Sequence, residues 1–132
     1  MNADPRILES LGWLATMPQE FRSDVLGGCE LIECAAGRRI YEHGGEADGV
    51  YGVLEGRVGL SSIAPDGSMY LSYIGGRGFW LGLATFLKRP RRFMAESRSH
   101  CALLFLSASR IKEICADKPL YWKHFFILTN HN

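Results

Sequence analysis

The chain has 132 residues, 47% of them hydrophobic and 22% charged, with a formal net charge of +1. That is enough for one globular domain with its own core, and it excludes a disordered, fibrous or two-domain chain. The near-neutral balance also argues against a surface given over to nucleic acid, which is normally strongly basic.

No apolar run approaches the roughly 18 residues that cross a bilayer, so no membrane contact is expected. The opening MNADPRILES carries Asp4 and Pro5 and lacks an apolar signal region, so no secretory leader is expected. Four scattered cysteines, Cys29, Cys34, Cys101 and Cys115, do not form a disulfide framework. A reducing cytoplasm is the corresponding expectation.

Residues 1–28 read as N-terminal helices. Ile7, Leu8, Leu11 and Leu14 follow the spacing of an apolar stripe, and Pro18 starts a second, short helix. Phe21, Val25 and Leu26 give that helix a buried face, and Gly27-Gly28 is expected to stop it.

Residues 29–107 change character. CELIEC, RRIYE, GVYGVLEG, RVGLSSI, SMYLSYI, FWLGL, FMAESRS and CALLFL are eight strand-like pieces divided by glycine-rich turns. PDG at residues 65–67 is a hairpin signal. Short strands at near-regular spacing predict a mainly β fold, an eight-stranded jelly roll with flanking helices. Residues 108–132 return to helix, with Ser107 or Ser109 as N-cap and Asp117-Lys118-Pro119 as a break. The last helix, LYWKHFFILTN, is apolar on more than one side. Trp122, Phe125 and Phe126 are the candidate face for a symmetric partner, so a homodimer is expected.

Within the β region one stretch stands apart. GFWLGLATFLKRPRRF, residues 78–93, begins apolar and ends with Lys88, Arg89, Arg91 and Arg92 around Pro90, with no acid among them. Arg91 and Arg92 are candidates to capture a small anionic ligand, whereas Lys88 and Arg89 read as solvated. Phe79, Trp80, Phe86 and Phe93 read as filling of the roll.

Several segments, in order, carry a resemblance. Asp48 to Val58 (DGVYGVLEGRV) is an aromatic and hydrophobic strand, a glycine turn and a valine. Ala64-Pro65-Asp66-Gly67 is the next turn, Gly75 to Gly82 is glycine-rich, and CALLFLS precedes a short helix. Together these resemble the cyclic-nucleotide-binding domain of the catabolite-activator/FNR (Crp/Fnr) family of bacterial transcription regulators. The resemblance implies a β-roll sensor domain, non-enzymatic and without a bound cofactor. It also implies a phosphate-binding cassette running Gly-Glu, short helix, loop, then Arg-Ser/Thr-Ala, with the glutamate on a ribose hydroxyl and the arginine on the cyclic phosphate.

Mapped residue by residue, that cassette falls on Gly82, Leu83 and Ala84 at its start and on Arg91 or Arg92 at its end. Leu83 stands where the glutamate is expected, and Arg92 or Phe93 where the hydroxyl is expected. A ribose hydroxyl buried without its acceptor costs about 1–3 kcal/mol, and a lost phosphate contact about 1 kcal/mol more. The two together weaken binding by roughly two to three orders of magnitude. Conventional cAMP or cGMP binding is therefore not expected, and apolar filling of the pocket by its own side chains would account for Leu83.

DNA contact would belong to a segment outside this chain, because no recognition helix is found in it. A ligand-free assembly module and a regulatory domain of a channel or kinase are the alternatives. Cys29 and Cys34 read as structural, placed on one strand with opposite faces. His43, His100, His124 and His131 form no His-x-His run, so no metal site is expected, and no paired carboxylates or nucleophile motif suggest catalysis.

Overall fold

The computed structural model describes residues 4–131, and the side chain of His131 is outside that description. A 3-10 helix at Pro5–Glu9 is followed by α1 (Gly12–Ala15) and α2 (Gln19–Gly28). Eight strands then run β1 (Glu30–Cys34), β2 (Arg39–Tyr41), β3 (Gly49–Glu55), β4 (Val58–Ile63), β5 (Met69–Gly75), β6 (Trp80–Leu81), β7 (Met94–Ser97) and β8 (Cys101–Ser107). The short helix α3 (Ala84–Leu87) lies between β6 and β7, and α4 (Ala108–Asp117) and α5 (Tyr121–His131) end the chain. This is the mainly β, eight-stranded roll flanked by helices that the turn spacing predicts.

The strands form two antiparallel sheets, ordered β1-β8-β3-β6 and β2-β7-β4-β5. The first sheet is covered on both faces, which is why β3 is buried almost throughout. Strand alternation sends Val50 and Leu54 of β3, with Ala102, Leu104 and Leu106 of β8, towards the helices. Tyr51, Val53, Cys101 and Leu103 point the other way, into the roll. The PDG turn closes the β4–β5 hairpin as expected, with the Ser68 amide donating to Asp66 Oδ1 at 2.9 Å.

Four details depart from the sequence reading. The N-terminal stretch is three helical pieces rather than two, because the chain turns at Gly12 to lie on the roll. Gly12 has φ +69°, and a Cβ there would sit 2.2 Å from the Gly78 carbonyl oxygen. The glycine pair does not stop α2 ahead of itself, since the helix runs through Gly28 and Cys29 caps it. Cys29 accordingly precedes β1 instead of sharing it with Cys34, and the two thiols belong to different cores. Phe125 is not on an outer face: it is fully buried, with its ring centroid 5.1 Å from Phe21 and 5.7 Å from Trp13.

Both chain ends therefore share one aromatic core. The Trp13 indole N–H donates to the His124 carbonyl at 2.9 Å, and Phe21 meets Tyr121 edge-on at 4.8 Å. On the rim of this core, Tyr121 Oη and Lys118 Nζ donate to Asp24 Oδ2 at 2.8 and 3.0 Å, and Lys118 also pairs with Glu20. Among the described residues no helix is long and apolar enough to cross a membrane.

This rim gives a pH dependence whose sign is fixed. Burial pushes the Asp24 carboxyl up, but the donors from Tyr121 and Lys118 outweigh it, leaving the group below its ordinary value of 3.8. A lowered carboxylate stabilises the fold fully above its unfolded value, and that contribution is lost as pH falls through the folded value. Urea midpoints measured down through the carboxylate range should thus fall less steeply for Asp24→Asn than for the parent. Parallel acid limbs would show that Asp24 contributes nothing.

Candidate functional site

The basic loop occupies the connection from β6 to β7. Gly82 turns the chain with φ +92°, α3 follows, and Lys88 ends that helix in the left-handed region at φ 52°. The loop is then stitched to the turn after β2: the Arg91 amide donates to the Gly45 carbonyl at 2.8 Å, and the Gly44 amide donates to the Arg91 carbonyl at 2.7 Å. With that backbone pinned, successive side chains diverge. Arg91 goes inward and is 2% exposed, while Arg92 stays outside.

The Arg91 guanidinium is bonded within its own chain. Nη1 donates to the Gly82 carbonyl at 2.8 Å and to Thr85 Oγ1 at 3.4 Å. Nη2 donates to Asp48 Oδ1 at 2.9 Å and to the Gly49 carbonyl at 2.8 Å. An arginine carries five N–H donors, four of them on the two Nη atoms. Those four have acceptors here, and Nε is buried without one. The guanidinium carbon also lies 4.3 Å from the centre of the Tyr41 ring, within cation–π range. Burial pushes the Tyr41 phenol up to about 12, against the Arg91 charge that lowers it, so the ring stays neutral under the cation.

Beside this guanidinium lies a cavity of about 350 Å³. Gly82, Leu83, Ala84, Arg91 and Arg92 all line it, so the fold gathers both ends of the cassette around one space. Its remaining walls are Tyr41, Leu60, Tyr73, Phe79, Trp80, Leu81, Leu87 and Phe93, nearly all carbon surface. Trp80 is fully buried, and the Phe79 ring stacks on Tyr73 at 4.9 Å. Phe86 turns away to pack on Phe125, with centroids 5.4 Å apart. The expectation that side chains fill this pocket is thus corrected, because the aromatic residues wall the space without closing it. A second cavity of about 670 Å³ adjoins the first through Arg91, Arg92 and Phe93 and adds His43, Ser62, Tyr70, Arg89 and other residues.

Sequence reasoning left Arg91 and Arg92 interchangeable and did not mark Asp48, Thr85 or Tyr41 as part of the site. Asp48-Gly49 is visible in the sequence only as the approach to a strand. Its pairing with residue 91 requires β3 and the loop to meet in space. On α5, Trp122, Phe126 and Ile127 are 37%, 57% and 46% exposed, opposite the buried Tyr121, Phe125 and Leu128.

The two arginines should separate cleanly by mutation. Arg91→Met leaves the buried Gly82 and Gly49 carbonyls without their donors and is expected to cost about 2 kcal/mol. Arg92→Met, on the surface, should stay within about 0.5 kcal/mol of the parent. Equilibrium urea unfolding of both variants checks this, and equal losses would refute the inward–outward assignment.

The chain is similar to a Ruegeria pomeroyi protein given a provisional cyclic-nucleotide-binding assignment, with TM-score 0.83 and 17% identity, covering 96% of this chain and 57% of that one. It is similar to the N-terminal domain of a Streptomyces coelicolor transcriptional regulator, with TM-score 0.79 and 21% identity, covering 94% and 87%. It is also similar to the catabolite activator protein of Thermus thermophilus, with TM-score 0.79 and 18% identity, covering 89% and 56%. The chain thus spans little more than half the length of the Ruegeria and Thermus proteins. At these identities the likeness is one of fold. A search of curated protein sequences finds no match. The family model for the cyclic nucleotide-binding domain matches residues 31–118, more than half of the chain and nearly the whole β-roll, and the chain belongs to that family.

Proposed function

We propose that this chain is the effector-sensing domain of a Crp/Fnr-type transcription regulator, with a cassette that does not take cAMP or cGMP in the conventional way. The observation that carries the reading is the engagement of both Arg91 Nη groups: their four hydrogens are spent on Asp48, Thr85 and the Gly82 and Gly49 carbonyls. A cyclic phosphate would have to displace several of these bonds at once. Leu83 offers a ribose hydroxyl no acceptor, so the cost of displacement is not offset at the sugar. The role is one of binding and not of catalysis, and any DNA contact would be made by a segment outside these residues.

The open cavity favours an effector over a ligand-free assembly module, whose roll would gain stability from filling such a void. The exposed stripe of Trp122, Phe126 and Ile127 supports a homodimer built on α5, since its inner stripe is already used by the core. Effector binding would then act by shifting α5 relative to its mate.

Two measurements test this. Calorimetric titration with cAMP and with cGMP should show no binding up to millimolar nucleotide, and micromolar binding of either would overturn the cassette reading. Sedimentation velocity should give a dimer for the parent and a monomer for Phe126→Glu. A parent that sediments as a monomer at high micromolar concentration would remove the α5 interface.

A further inference from the structure

The cavity beside Arg91 is almost wholly carbon-walled, yet it also borders Arg92, a guanidinium without a bonding partner among the described residues. Resting on the effector-site reading above, we propose that it takes an amphipathic carboxylate: an acyl or arylalkyl chain inside, with its head group on Arg92.

The interior argues for the chain. Leu60, Phe79, Leu83 and Leu87 supply walls with no donor or acceptor in their side chains. Hydroxyls or a phosphate placed among them would lose water without replacement partners, whereas a methylene gains by leaving water. A volume of about 350 Å³ lies in the range of ordinary small-molecule pockets. Arg91 offers an incoming anion no Nη fork, because all four Nη hydrogens are bonded within the chain and only the buried Nε is left.

The mouth argues for the head group. Arg92 lines both the apolar cavity and the larger, mixed one that adjoins it, is exposed, and has no ion pair or hydrogen bond among the described residues. Arg89 lines the mixed cavity as a second cation on the same loop. A carboxylate there keeps access to water, so its charge need not be buried, and the guanidinium fork suits its two oxygens. The basic run at residues 88–92 thus gains a use beyond solubility.

The test is calorimetric titration of this chain with octanoate, decanoate and dodecanoate, and with decanol as the neutral control. Affinity should rise about fourfold per added methylene until the cavity is full. Arg92→Ala should weaken decanoate by roughly tenfold and leave decanol unchanged. Leu87→Asp, at an exposed position on the cavity wall, should abolish both without affecting folding. Binding that persists in Leu87→Asp would place the ligand elsewhere, on α5 for example, and overturn the proposal. Indifference of decanoate to Arg92→Ala would overturn the head-group assignment. Failure of the fatty acids while cAMP also fails would sink this ligand class and leave the non-nucleotide reading standing. Micromolar cAMP binding would instead sink that reading itself.

Discussion

A buried positive charge organises the β-roll. The Arg91 guanidinium lies in the protein with one carboxylate partner that is itself more than half exposed, and it is otherwise satisfied by backbone carbonyls and a hydroxyl. Taking a cation out of water is costly unless its hydrogens are bonded, so the acceptors have to be in position together. They come from Asp48 and Gly49 at the entry to β3, and from Gly82 and Thr85 at and just before α3. The charge therefore dictates where those two segments sit, and its own backbone is tied to a third at Gly44 and Gly45. Gly82 follows from the same constraint: a Cβ there would lie 2.9 Å from Arg91 Nη1 and 2.7 Å from the Gly49 oxygen. Side chains are excluded because carbonyls must approach.

This arrangement separates two properties that are usually asked of one residue in a phosphate site. Arg91 holds the loop, and the surface loop cations are left free to meet whatever enters. The cavity between them has Leu83 in its wall and no carboxylate among the residues that line it. The two sheets and the helices on them form the β-roll around it.

The architecture was largely legible in the sequence because it rests on short-range signals. Glycine turns divide the strands, Asp66-Gly67 closes a hairpin, and Ser107 caps α4 with its hydroxyl accepting from the Arg110 amide. What escaped depended on distance in space. Nothing local tells that Gly12 must drop against Gly78, so one helix was read where a 3-10 helix and α1 stand. Phe125 and Phe126 look alike in the sequence, yet one fills the core and the other faces outward, because only the packing of Trp13 and Phe21 fixes the rotation of α5. Arg91 and Arg92 posed the same problem, resolved by two backbone hydrogen bonds from a turn more than forty residues away. Asp48 and Tyr41 belong to no sequence pattern that would place them beside Arg91.

The aromatic core shared by the two ends of the chain bears on the order of synthesis. Trp13, Phe21 and Leu14 leave the ribosome about a hundred residues before Tyr121, Phe125 and Leu128, which complete their packing. Until then the first helices can be held only by the outer face of β3 and β8, themselves separated by about a third of the chain. A domain of this kind folds as a unit and offers little to a partly made chain. The N-terminal helices thus wait through the synthesis of about a hundred further residues with their aromatic faces uncovered.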